Sequence, residues 1–368
     1  MIYVILGTRA QLVKMAPVIN LIEAKNWPIK LIHTGQHKES IDEICHDFKI
    51  SADWHLLYRK SDEVKTISHA LKWLTFLITK IIFKPLSLLP GADKSSNNII
   101  LVHGDTFSTV IGALLGKRLG IKVGHIESGL RSFNLFNPFP EEINRLITFR
   151  LMDIAFCPGQ WAIDNLKKYN IKKINTINNT LLDSLRIAYA SEAESGYMIP
   201  QHEYAVVSIH RFENIFLKKT FETIINQLLD ISKEIHLVFI LHPSTLKRLI
   251  KTGLITRIQN NKNISLRDRT GYFNFVKLIS SCKFVITDGG SNQEELSYLN
   301  KPTFLMRKTT ERQEGLNKNV FLGKLSKHSL VSFIDQIDNI ERTKSILSQT
   351  PNSPSEIICQ EISFAAQR

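Results

Sequence analysis

Short apolar runs alternate with helix-spaced apolar positions along the first half of the chain. Ile2–Leu6 is apolar and β-branched, a Gly7–Thr8–Arg9 turn follows, and Leu12–Ala24 carries apolar residues at helical spacing. Ile29–His33, Ile99–His103, Val123–Ile126 and Ile154–Cys157 predict further strands, with a helix over Ser108–Leu119. Alternation of this kind predicts a parallel sheet covered by helices on both faces. Ala190–Glu203, ASEAESGYMIPQHE, is polar, contains Gly and Pro, and reads as a linker. Beyond it the alternation restarts. Strands are expected over Tyr204–Ile209, His236–Leu241, Phe284–Thr287 and Thr303–Met306, and helices near Phe216–Ile231, Ser291–Leu299 and Ser329–Ser348. The expected organisation is α/β, with one Rossmann-like domain over 1–190, a second over 203–350 and a tail over 351–368. Ligands of doubly wound sheets bind beyond the carboxyl ends of the strands, so the site is expected in a central cleft faced by both sets of strand ends.

Leu71–Pro90 is strongly apolar but carries Lys72, Lys80 and Lys84, with Leu71, Leu74, Ile78 and Ile81 at helical spacing. It predicts a partly buried helix with a lysine rim; a segment resting on anionic lipid is the other reading, and peripheral membrane contact is not the expectation. No uncharged run approaches the roughly 18 residues that cross a bilayer. The opening MIYVILGTRAQLVKM turns polar too soon for a signal peptide. Of 368 residues, 43% are hydrophobic and 22% charged, which excludes a disordered chain and a disulfide-stapled miniprotein. Cys45, Cys157, Cys282 and Cys359 form no CxxC pair, so neither a zinc site nor a disulfide framework is expected, and a reducing, cytoplasmic setting is. A net charge of +13 favours an anionic ligand. The basic residues are spread along the chain and no nucleic-acid motif accompanies them, so nucleic acid is not an expected partner.

Several strand ends carry chemistry. Gly7–Thr8–Arg9 joins a strand to a helix, where free N–H groups and a guanidinium suit an anion; an ordinary turn is the plainer reading. His103-Gly-Asp105-Thr106 ends a strand, and Asp105 or Thr106 could simply cap the next helix. His125-Ile-Glu127-Ser-Gly-Leu-Arg131 ends the next strand, and Glu127 could simply pair with Arg131. Two successive strand ends that each deliver a carboxylate to one rim suggest acid/base work. Pro138-Phe-Pro140-Glu141-Glu142 opens a helix with acids suited to its dipole, after an aromatic loop fit to exclude water. His210–Arg211 ends the first strand of the second half, where a local Arg211–Glu213 pair is the plainer reading. The strongest local signal is Thr287-Asp288-Gly289-Gly290-Ser291, a strand running through glycines into a helix, the form of a diphosphate cradle. Glu294 or Glu295 one turn in could hold ribose hydroxyls, with Arg307, Lys308, Glu311 and Arg312 following the next strand.

Taken in order, GTRAQLVKMAP, HTGQH, HGDT, HIESGLRSFN, PFPEEINR, HRFEN, TDGGSNQEE and KPTFLMRKTTERQEG resemble the non-hydrolysing UDP-N-acetylglucosamine 2-epimerase family of bacteria, from residue 7 to about 316. The resemblance implies a glycosyltransferase-B fold and interconversion of UDP-GlcNAc and UDP-ManNAc, without cofactor or metal, for surface polysaccharide precursors. The implied route is elimination of UDP to a 2-acetamidoglucal, then re-addition. Asp105, Glu127 and Glu141 match the family's catalytic acids, and His210 its histidine near the diphosphate. Arg9, Lys14 and Arg131 match binding positions. Phe275 matches an aromatic near the uracil, Gly289, Gly290 and Ser291 the cradle, Glu295 the ribose contact and Arg312 a phosphate-side arginine. Gln36 and His37 match positions near a second, activating UDP-GlcNAc, although Glu39 stands where the family is usually neutral. A homodimer is expected. The chain departs from the family at Phe212, usually arginine, and at Lys308, usually acidic. A hydrolysing epimerase that releases UDP and a non-catalytic nucleotide-sugar-binding protein are the alternatives.

Overall fold

The computed structural model describes residues 1–36, 41–58, 67–92, 98–136, 139–192, 196–310, 312–323, 326–337, 347 and 352–366. The chain divides into two units, Met1–Ser184 with Asn352–Arg368, and Leu185–Pro351.

The first unit is built on β1 (Ile2–Leu6), β2 (Ile29–His33), β3 (Trp54–Leu56), β4 (Ile99–His103), β5 (Lys122–Ile126), β6 (Ile154–Cys157) and β7 (Lys172–Asn175). Their order in the sheet is β3-β2-β1-β4-β5-β6-β7, and every pairing is parallel. Every residue of β1 and β4 is buried. Helices cover both faces, so these central strands read as unbroken apolar runs rather than as alternation. The helices that matter for the site are α1 (Arg9–Ala24), α2 (Ile41–Phe48), α3 (Ile67–Phe83), α4 (Phe107–Leu119), α5 (Glu141–Leu151) and, spanning the boundary between units, α7 (Leu181–Ala190) after the short α6 (Gln160–Asn165).

The helix expected over Leu71–Pro90 is found as α3, which starts earlier, at Ile67, and stops at Phe83, with a short 3-10 turn over Pro85–Leu88 after it. Trp73, Leu77 and Ile81 of α3 are buried in the core with Tyr3, Ile5 and Val102. Its other side leaves Leu71, Ile82 and Phe83 exposed. Among the described residues no helix is long and apolar enough to cross a membrane.

The second unit repeats the plan with β8 (Tyr204–Ser208), β9 (His236–Leu241), β10 (Ile264–Asp268), β11 (Val285–Thr287), β12 (Thr303–Leu305) and β13 (Val320–Leu322). Their order is β10-β9-β8-β11-β12-β13, again all parallel. Its helices include α8 (Phe212–Ile215), α9 (Lys218–Ile231), α10 (Pro243–Thr252), α11 (Leu254–Gln259), α12 (Tyr272–Ser281), α13 (Gly290–Tyr298) and α14 (Lys327–Ile337). The long last helix expected over Ser329–Ser348 is described only as α14, because 338–346 lie outside the described residues.

In each sheet the strand order reverses direction at one place, between β1 and β4 and between β8 and β11. Connections leave these neighbours toward opposite sides, which opens a crevice at their carboxyl ends. The chain then returns to the first unit. A last helix, α15 (Pro354–Ala366), packs on α1 with Ile358, Cys359 and Ile362 buried. Asp183 anchors its start, accepting from Ser353 Oγ at 2.8 Å and from Ser355 N at 2.9 Å.

Candidate active site

At the first crevice, glycine is required after β1. A Cβ on Gly7 would lie 1.8 Å from Ser108 Oγ and 2.5 Å from Thr34 Oγ1, so only a bare backbone fits against α4. Gln11 ties the rim together. Its Oε1 accepts from Gly7 N at 3.0 Å, and its Nε2 donates to His103 O at 2.6 Å and Thr109 Oγ1 at 3.1 Å. Thr8 caps α1 by accepting from Gln11 N.

Glu127 stands just past β5 with φ of 60°, in the left-handed region. Such a backbone costs a non-glycine residue about 1–3 kcal/mol and persists only where the surroundings hold it. Here the carboxylate is the anchor: Oε2 lies 2.5 Å from Lys14 Nζ and 3.2 Å from His103 Nε2. Lys14 reaches it from α1, and all three groups are buried. Arg131 does not take the local pairing with Glu127. It binds Glu142 and stacks over the Phe133 ring at 4.7 Å.

Asp105 follows β4, and its Oδ2 meets Arg145 Nη2 at 2.5 Å. Asn144 donates to its backbone carbonyl at 2.9 Å. The capping of α4 falls instead to Thr106, which accepts from Thr109 N at 3.4 Å. Asp105 is the more open of the two acids, with a side chain 27% exposed against 6% for Glu127.

Glu142 is more than a first-turn acid. Fully buried, it accepts from Ser132 N at 3.0 Å, from Arg131, and from Arg145 at 3.3 Å. Burial by itself would raise its pKa, but the Ser132 N–H and the two guanidiniums outweigh burial and hold the carboxyl below its ordinary value. Arg145 thus grips Asp105 and Glu142 together and fixes the loop between β5 and α5. Pro140 sits at the cap of α5, just before its first turn. Glu141 opens α5 and is half-buried.

His125 completes the frame. Its Nε2 lies 2.7 Å from Gly104 O, and burial pushes its pKa down to about 4. The ring is therefore neutral at pH 7 and donates Nε2–H to the carbonyl next to Asp105. Arg9 pairs with Glu43 of α2 at 3.0 Å, and Gln36 accepts from Ser108 Oγ at 2.9 Å. His37 and Glu39 lie outside the described residues.

At the second crevice the organising group is Asp288, fully buried just past β11. Its carboxylate accepts from His210 N at 3.0 Å, Arg211 N at 2.9 Å and Asn214 Nδ2 at 3.0 Å. His210 Nδ1 faces it at 3.2 Å. Burial lowers the pKa of His210, and the Asp288 charge only partly opposes this. The His210 ring stacks on His242, with centroids 4.2 Å apart, and burial pushes His242 down to about 3. Arg211 does make the local contact with Glu213, at 3.8 Å.

Gly289 precedes α13, and its N–H is taken by Thr287 Oγ1 at 3.1 Å. Gly290 and Ser291 form the first turn, where unpaired N–H groups and the dipole favour an anion. Other matched residues sit deeper than their expected roles suggest. Glu295 is 4% exposed beside the Tyr272 phenol, whose pKa burial and this carboxylate raise well above its usual value. Arg312 Nη1 binds buried Glu294 at 2.5 Å. Phe275 on α12 packs against the core of Tyr204, Val206 and Leu278.

The sequence missed Arg145, Glu142, His103 and His242 as members of these frames. An i,i+3 Glu142–Arg145 pair was legible on the expected helix. The reach of Arg145 to Asp105 was not.

A family model described as UDP-N-acetylglucosamine 2-epimerase matches residues 20–352 of the chain. A relative from Methanococcus maripaludis named UDP-N-acetylglucosamine 2-epimerase is 35% identical over 339 residues, covering 87% of each chain. Among solved structures, the UDP-GlcNAc 2-epimerase of Methanocaldococcus jannaschii in complex with UDP-GlcNAc and UDP is similar with a TM-score of 0.82 and 27% identity, covering 99% of each chain. That of Neisseria meningitidis bound to UDP-GlcNAc is similar with a TM-score of 0.82 and 26% identity, also covering 99% of each. The fold is the α/β, glycosyltransferase-B type with two Rossmann-like units that the sequence led us to expect.

Proposed function

The chain belongs to the UDP-N-acetylglucosamine 2-epimerase family, and from that premise we propose that it interconverts UDP-GlcNAc and UDP-ManNAc. The observation that carries this reading is the pair of anchored acids at one switch point, Glu127 on Lys14 and His103, and Asp105 on Arg145.

The hydrogen at C2 of the sugar is not next to a carbonyl, so simple deprotonation does not epimerise it. Elimination does. A carboxylate takes the C2 proton, the C1–O bond breaks, and its electron pair leaves with the β-phosphate of UDP. The remaining 2-acetamidoglucal has a C1=C2 double bond. UDP oxygen then re-adds to C1 while a proton returns to C2 from the other face. Asp105, Glu127 and Glu141 supply the acid/base groups. Lys14 holds Glu127 in place, and Arg145 holds Asp105. In the second unit, the first turn of α13 holds the diphosphate through Gly290 and Ser291, and Glu295 faces the ribose. His210 is neutral in the free protein; an arriving diphosphate favours its protonated form, which stabilises the leaving UDP. Arg9, Arg131, Phe275 and Arg312 complete the substrate contacts.

The enzyme acts as a cytoplasmic homodimer. Four free thiols suit a reducing compartment, and the apolar exterior of α3 suits a subunit contact. Light scattering on the eluting protein gives the subunit count directly.

The reaction is tested with UDP-GlcNAc in D2O, followed by NMR of the sugar ring. Deuterium at C2 of both epimers, without net release of UDP, is the expected result. Epimer formed with the original C2 hydrogen retained would overturn the elimination route. Accumulating UDP and free sugar would instead identify a hydrolysing enzyme.

A further inference from the structure

An exposed aromatic pair of the second unit lies beside the Asp288 frame. Phe212 and Phe216 stack with centroids 4.2 Å apart at 25°, and they are 65% and 56% exposed. With Leu217, Met306, Arg307 and Lys308 they line a cavity of about 690 Å³. Pockets of roughly 300–1,000 Å³ are the size that takes small organic ligands.

The cavity is supported from behind. Asn214, also in its wall, donates to Asp288 at 3.0 Å and to Met306 O at 3.1 Å, which fixes the loop after β8 to the end of β12. Among the described lining residues the one acid, Glu213, has Arg211 as its counter-ion, whereas Lys308 is exposed and follows Arg307. Two departures from the family's motifs, Phe212 and Lys308, therefore meet in one cavity. One replaces a charge with an aromatic face and the other replaces an acid with a cation.

We propose that this cavity is a second ligand site, distinct from the nucleotide cradle, which takes a small phosphate or carboxylate with an apolar body. The body lies against Phe212, Phe216, Leu217 and Met306, and the anionic head meets Lys308. Aromatic walls alone would accept neutral amphiphiles equally well; the cationic rim selects the anion. The site makes no use of the residues assigned to epimerisation, so it stands or falls independently of that activity.

Calorimetric titration of the full chain tests it. Octyl phosphate is the probe, below its micelle concentration, with octyl glucoside as the uncharged counterpart and inorganic phosphate as the tail-free one. One octyl phosphate should bind per chain, about tenfold or more tighter than either counterpart. Phe212→Ala and Lys308→Asp should each weaken it by about tenfold, while thermal melting shows both variants folded; both side chains are exposed, so neither supports the core. Saturating UDP should leave the titration in place. Absence of binding, equal affinity for octyl glucoside, unchanged affinity in both variants, or complete displacement by UDP would each overturn the proposal.

Discussion

The two units share one plan and place different groups at it. Strand order is 3-2-1-4-5 in the first and 10-9-8-11-12 in the second, with the reversal between β1 and β4 and between β8 and β11. At the first reversal the groups are side-chain ions bound to side-chain ions: Glu127 to Lys14, Asp105 and Glu142 to Arg145. At the second, one buried carboxylate organises main-chain N–H groups, beside two histidines kept neutral by burial. A fixed topology delivers strand ends to the same place, and the residues just beyond those ends decide which groups line the rim. Ion pairs suit acid/base work because each cation keeps its acid aimed. Main-chain donors suit a diphosphate because they carry partial positive charge without side-chain freedom to lose.

The sharpest way to separate the two rims is to remove one charge from the first. Glu127→Gln should lower kcat by about 10²- to 10⁴-fold, the scale of a positioned acid or base, and Asp105→Asn should follow it. UDP affinity, measured by calorimetry, should stay within about twofold of wild type in both. Near-normal turnover in a folded Glu127→Gln protein would reduce this residue to a counter-ion for Lys14.

The corresponding change in the second unit should act on structure first. Asp288→Ala strands the N–H groups of His210 and Arg211, and should cost about 3–5 kcal/mol in urea unfolding, together with loss of UDP binding. A loss below about 1 kcal/mol, with UDP binding intact, would mean that the turn holds its shape without the carboxylate.

His125 gives the first rim a pH signature. Its pKa is about 4 in the folded protein and near 6.5 unfolded, so the unfolded chain binds the extra proton between these values. Stability from this group is complete above about pH 6.5 and fades as pH falls toward 4, by about 3 kcal/mol in total. The difference in unfolding free energy between wild type and His125→Gln should therefore shrink over that window. A difference that stays constant from pH 7 to pH 4 would place the proton elsewhere.

The smallest expected effect tests the depth of the second rim. Glu295→Ala should weaken UDP by about 1–3 kcal/mol if this carboxylate leaves Tyr272 for the ribose. Identical calorimetric affinities would leave Glu295 as a partner of Tyr272 alone.

Much of the frame was legible from residue pattern. Ile2–Leu6, Ile29–His33, Ile99–His103, Ile154–Cys157 and His236–Leu241 are strands with the expected bounds, because parallel strands buried on both faces must be continuously apolar. Short or half-polar elements were not legible. Trp54–Leu56 and Val320–Leu322 are edge strands of three residues each, too short for periodicity to register. Asp105 and Glu127 were legible as strand-end acids, and Gly290–Ser291 as a helix start. The holders of those acids were not.

By itself, then, the amino-acid sequence determined two βα repeats, the strands that end at the site, and the acids, histidine and glycines placed just past those ends. These depend on local apolar pattern and on turn chemistry, which a neighbouring few residues settle. Only the tertiary structure decided who holds whom. Lys14 meets Glu127 across 113 positions, Asp105 meets Arg145 across 40, and Asp288 receives His210 N across 78. It also decided that residues 354–366 return to pack on α1. Such contacts need no sequence pattern, because they arise when packed sheets bring distant strand ends and helix starts to one rim, where buried charges must find partners or remain uncompensated.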